Sequence, residues 1–385
     1  MFPIFSILIL FLPIFIIAQP PTSVPVDDIA YLLSDWAQPK YSPDETHFAY
    51  LAPDERGSYN LCVDGVFLTH EKRGILKFFW ELDNQHLLYL HDKNGDEYLH
   101  LYRVNLQGDV VDLTPYENTY VDLISLSSKR PNEALIVSTH KTPSRNFYLI
   151  NLVTRELTPF PSERDDLNVF AGNEDLTPQA AVSFRPDGKK YLEIYEQGVW
   201  RPIWELQSDD RTYAPSLSVS SSGKLRIKTC TDLTTQGLYE IDLKTGEKQL
   251  LFAHPKLDLV RAYFDPKTNT LQAATVRYDR TEWHCFDPSF EAEINTLYEK
   301  LPDGEIILES RLAKDRKWLV VYRQDHCPNA YYIWDRDQQE LKLVLQEAPH
   351  LLKHSFGKFK SFTFSSSDGL YRARLGCVKN SLHAR

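Results

Sequence analysis

Along residues 38–347 the chain keeps returning to one short-range pattern. Apolar and polar residues alternate over five to eight positions, a cluster of turn-forming residues follows, and the alternation resumes. Period-two alternation bounded by Pro, Asp, Asn, Gly or Lys predicts half-buried β-strands joined by tight turns. One phrase recurs as strand, polar turn, strand: "LYRVNLQGDVVDLTP" (101–115), "FYLINLVTRELTPF" (147–160), "LYEIDLKTGEKQLLF" (238–252) and "YYIWDRDQQELKLVL" (331–345). Its aligned tyrosines are Tyr102, Tyr148, Tyr239 and Tyr332, spaced by one, two and two units of about 46 residues. Weaker copies fill the gaps: "YNLCVDGVFLTH" (59–70), "YEQGVWRPIWEL" (195–206) and "EWHCFDP" (282–288).

A second phrase precedes each of these, a turn followed by an apolar strand. It runs from "SPDETHFAYLAP" (42–53) to "AKDRKWLVVYR" (313–323) and occurs seven times. A unit of this length with four short strands is a propeller blade. Such a blade cannot bury both faces alone, and stacking around a ring covers them. The pattern therefore predicts an all-β fold, one closed seven-bladed β-propeller over residues 38–347. A sandwich array or two smaller β domains would be the competing arrangements.

One segment breaks the period. In "DPSFEAEINTLYEKLPDG" (287–304), Phe290, Ile294, Leu297, Tyr298 and Leu301 fall on one helical face. Asp287 can cap the helix, Pro288 suits its first turn and Pro302 ends it. The spacing predicts a short helical insertion that lays its apolar stripe on the propeller. A shorter helical candidate, "DDIAYLLSDWAQ" (27–38), precedes the first blade within an N-terminal segment, residues 19–37.

Composition adds compartment and excludes some partners. Residues 1–18, "MFPIFSILILFLPIFIIA", carry no charge, and Ala18 before "QPPTSVP" has the small residue of a signal-peptidase site. Export, periplasmic or secreted, is expected, with a membrane anchor if residues 1–18 stay uncleaved. The net charge of -10 argues against a general nucleic-acid binder. The five cysteines, Cys62, Cys230, Cys285, Cys327 and Cys377, are scattered and form no CxxC pair, so they read as buried small hydrophobes.

Candidate chemistry is sparse. No G-x-S-x-G nucleophile elbow occurs anywhere in the sequence. His350 and His354 in "HLLKH" have metal-ligand spacing, but Leu351 stands where a zinc protease needs Glu. In "HDKNGDEYLHLY" (91–102), Asp92, Asn94 and Asp96 alternate like calcium ligands. Gly95 is misplaced for such a loop and no acid stands at its twelfth position, so a hairpin loop is expected. Trp334-Asp335 is a lone WD pair. No catalytic, cofactor-binding or metal residue is assigned, and no cofactor is implied.

"SPDETHFAYLAP", "WELDNQHLLYLHDKNGDEYLHLYRVNLQGDVVDLTPY" (80–116) and residues 279–345 together resemble the N-terminal half of the prolyl oligopeptidase family, in its acylaminoacyl-peptidase and dipeptidyl-aminopeptidase-like branch. The resemblance covers most of residues 38–370. It implies a propeller that screens peptide substrates, followed in the family by an α/β-hydrolase domain with a Ser-Asp-His triad. "FTFSSSDGL" within residues 348–370 resembles the junction strand toward that domain. Residues 371–385, "YRARLGCVKNSLHAR", depart from the expected continuation and read as an aberrant basic tail, as a frameshift or early stop would leave. The resemblance thus implies an exported peptidase's propeller part, inert alone. Its partners would be peptides, a separate hydrolase domain or another protein. A stand-alone TolB-like propeller acting as a binding scaffold is the other reading.

Overall fold

The computed structural model describes residues 38–377 apart from 142–144, 161–163, 165, 208–215, 221, 355 and 366–370. Residues 1–37, with the expected signal segment and the 27–38 helix candidate, lie outside it except for position 38, as do residues 378–385. Seven antiparallel sheets follow one another along the chain, at residues 40–67, 77–112, 121–159, 167–206, 216–252, 259–285 and 305–346. Each is a meander whose strands pair with their sequence neighbours, so each is one blade of a seven-bladed β-propeller. The innermost strands are Lys40–Tyr41, Lys77–Trp80, Val121–Leu126, Leu167–Gly172, Ser216–Val219, Leu259–Phe264 and Glu305–Leu312. They surround the axis.

The alternation seen in the sequence is what joins the blades. Successive side chains on a strand point to opposite faces, so each blade offers one apolar face to each neighbour. Leu51, Phe78 and Trp80 share a core between blades one and two, and Leu90, Val121 and Ile136 one between two and three. Leu135 with Trp200, Ile227 with Leu192, and Phe252 with Val276 bridge the next three junctions. Turn chemistry closes the hairpins: Gly95 sits at φ +82, a left-handed position that glycine adopts without a Cβ penalty.

Blade six departs from the four-strand expectation. It has three strands, and after Cys285 the chain turns into helix α1 (Pro288–Lys300) instead of an outer strand. The Asp287 carboxylate accepts from the backbone N–H of Ser289 and Phe290, capping the helix as its sequence predicts. Phe290, Ile294 and Leu297 are buried against Tyr263, Trp318 and Trp334. Trp334 donates its indole N–H to Glu293 on the helix at 2.7 Å. The helix therefore cements blades six and seven. Past its end Gly304 is required by proximity, because a Cβ there would lie 2.1 Å from the Tyr322 ring.

One further expectation needs correction. Of the described cysteines, only Cys62 is buried; Cys230, Cys285 and Cys327 are half-buried, because each lies at or just beyond the end of a strand, and none of the four is in a disulfide. The Cys377 side chain lies outside the description. The strand expected in "FTFSSSDGL" forms at Phe359–Ser365, and the segment read as departing from pattern pairs with it, Phe359 opposite Cys377 and Ser365 opposite Tyr371. The Asp368-Gly369 turn lies outside the described residues.

Candidate functional site

The wall around the axis carries the clearest unabsorbed chemistry. Lys40 begins the inner strand of blade one, and its ammonium donates to the Phe78 carbonyl at 2.5 Å and lies over the Phe78 and Phe79 rings. Burial lowers this amine to about 8; Glu309 of blade seven pulls it back up, and Lys77 of blade two lowers it further. Glu309 is itself paired with Arg261 of blade six at 3.2 Å. In blade three, burial pushes the Asp122 carboxyl up, against the pull of Lys77 and Arg145. The Arg145 guanidinium lies 4.3 Å from the Tyr120 ring centroid and donates to Asn168 of blade four at 3.3 Å.

Side chains from six blades thus sense one another around the axis. On the remaining arc the inner strands present Ser216 and Ser218, which carry no charge. Lys77 and Arg145 are exposed, and among the described residues neither makes an ion pair.

The residues singled out by motif do not converge. Asp92 pairs with Arg73 at 3.2 Å and accepts the Glu97 N–H, while Asp96 accepts the Tyr98 N–H. These carboxylates shape a hairpin loop and do not pool around a cation. His350 lies in a 3-10 helix (Pro349–Lys353) with His354 at its extended cap. At three residues per turn, positions four apart leave the common face a metal would need. Trp334 is core and Asp335 ends its strand.

Two clusters have metal-like composition, and neither fits a metal. In the first, Glu81 is held by two Arg103 hydrogen bonds at 2.7 and 2.8 Å, and His86 pairs with Asp83. In the second, His254, Glu282 and His284 lie together, but His254 Nδ1 accepts the backbone N–H of Leu257 at 3.0 Å. The neutral ring then carries its proton on Nε2, where a metal would need a lone pair, whereas a ligating imidazole normally donates from its other nitrogen.

A buried polar network joins blades one and two. Tyr89 donates to Glu71 at 2.9 Å, His91 lies 3.3 Å from the same carboxylate, and His100 bonds Asp112 at 2.9 Å. The His91 bond holds the Glu71 carboxyl below its ordinary range despite burial. Burial raises Asp112, but the His100 bond and charge outweigh it and the net shift is downward.

No protein-family model matches the chain. It is 29% identical over 283 residues to dipeptidyl aminopeptidase BIII of Pseudoxanthomonas mexicana, covering 72% of this chain and 41% of that protein. It is 24% identical over 361 residues to dipeptidyl peptidase family member 6 of Caenorhabditis elegans, covering 86% of this chain and 49% of that one. The chain thus spans about half or less of the length of these relatives. Among solved structures, a puromycin-hydrolysing peptidase of Mycobacterium tuberculosis superposes with a TM-score of 0.61 at 13% identity, over 92% of this chain and 60% of that one, which shows the shared fold. The described residues hold no α/β-hydrolase domain, and the sequence has no nucleophile elbow, so the triad of such a domain has no counterpart here. The sequence matches and the seven-bladed fold together make this chain homologous to the propeller portion of serine peptidases of the prolyl oligopeptidase family.

Proposed function

We propose that this chain holds or screens peptides as the propeller part of an exported peptidase of that family, and cleaves no bond by itself. The observation that carries the reading is the sequence match to two dipeptidyl peptidases, which falls on the propeller. The ring supports it physically. A rigid set of inner strands with charged side chains on the axis can bind an extended chain, while nothing in it activates a nucleophile. Peptides of the dipeptidyl-peptidase substrate type are the expected ligands, and a hydrolase domain or a second protein the expected partner. Residues 1–18 would direct export, with cleavage after Ala18 or retention as an anchor.

The test combines binding and labelling on the purified chain. Fluorescently labelled peptides should bind saturably, and a fluorophosphonate probe should leave the protein unmodified. Stoichiometric labelling of a hydroxyl would overturn the non-cleaving part of the reading, and absence of binding by every peptide would overturn the rest. Intact mass of the exported protein reports the leader: a chain beginning at Gln19 is expected.

A further inference from the structure

We infer that the axial wall selects acidic peptides, its recognition element being the exposed cations Lys77 and Arg145. The inference rests on the peptide-holding reading and deepens it by naming the substrate class. The chain as a whole is strongly acidic, at -10, yet the charges facing the axis have the opposite bias. Among the described residues, the interactions around the axis set out above involve Lys40, Lys77, Arg145 and Arg261 with the carboxylates Glu309 and Asp122. Arg261 is neutralised by Glu309. Asp122 is half-buried among the others and offsets one of the remaining cations.

Lys77 is exposed with no ion-pair partner among the described residues. Arg145 spends one face on Tyr120 and one N–H on the neutral Asn168. Its remaining donors keep the planar fork that matches a carboxylate. Cations along low-dielectric walls focus their field on a peptide lying between them, so acidic side chains gain attraction and basic ones repulsion. The neutral serine arc offers hydrogen bonds without discriminating charge.

Anisotropy titrations of the full chain with labelled eight-residue peptides test this, using Glu-rich, isosteric Gln-rich and Lys-rich sequences at low and high salt. The Glu-rich peptide is expected to bind roughly tenfold more tightly than the Gln-rich one at low salt, with the advantage collapsing as screening rises. Lys77→Glu combined with Arg145→Glu should abolish or reverse the preference, with circular dichroism and size exclusion showing that the double variant still folds. Equal affinity for Glu-rich and Gln-rich peptides, or a preference that survives the double reversal, overturns the charge inference and leaves peptide holding intact. Failure of all three peptides to bind overturns both.

Discussion

The two junctions of blade seven differ sharply. Its strand Lys317–Gln324 alternates strictly: Trp318 and Val320 face blade six, Leu319 and Val321 face blade one. Toward blade six those side chains enter a core shared with Tyr263, Ala273 and helix α1. Toward blade one they cluster with Tyr331, Ile307 and Ile333, all from blade seven itself. Every other pair of adjacent blades has a buried cluster drawing on both members; among the described residues the seam between seven and one has none. On its far side blade one presents Tyr41, Phe48 and Tyr50, half-buried and stacked on one another. Among the described residues no strand crosses the seam either, since each blade's sheet is built from one contiguous stretch. Apolar burial between blades is what resists opening; the seam has no shared cluster among the described residues and lies where chain connectivity gives no help, so it is expected to be the first junction to open.

Core truncation should break this comparison most visibly. Phe290→Ala removes a fully buried ring from the six–seven junction and is expected to cost about 3–5 kcal/mol, measured by chemical denaturation. Phe48→Ala at the seam should cost about 1 kcal/mol, because the ring is only half-buried. Equal losses would erase the asymmetry. Hydrogen exchange sharpens the same point: the amides of residues 48–52 are expected to open with a free energy about 2 kcal/mol below those of Glu133–Ser138, which sit in a blade with shared cores on both sides. Indistinguishable protection would refute a weak seam.

Acid should produce the smallest effect, and at a different junction. Glu71 and Asp112 have carboxyls held low in the folded state, so their contribution is present above the unfolded carboxylate range and is lost as pH falls through the folded values. Thermal stability should therefore be flat down to about pH 5 and decline below about pH 4. Replacing His91 and His100 by Gln should flatten that decline, and an unchanged profile would remove these pairs from the account.

Much of this architecture was legible because its causes are local. The helix could be placed from the stripe Phe290, Ile294, Leu297 and Leu301 and from the Asp287 cap, all of which the structure uses. The strand after "SSSD" is less legible, since Tyr371–Cys377 carries two arginines and only its pairing with Phe359–Ser365 reveals it. "EWHCFDP" looked like a two-strand copy, yet its second half became the helix cap. The axial charges are not legible locally, because Lys40, Lys77, Asp122 and Arg145 sit far apart in sequence and a lone charge beside a strand reads as solvated. Aligning the units on their innermost strands would have shown charges recurring near strand starts.

By itself the sequence determined the number of repeats, the period of each element, the helix and its cap, and the absence of a nucleophile elbow. Those follow from backbone pairing and side-chain alternation over a few residues. The tertiary structure alone decided which charges meet on the axis, how blade six replaces a strand by a helix, and which junction lacks a shared core. Those depend on seven units turning through a full circle, which brings together residues hundreds of positions apart that no local preference links.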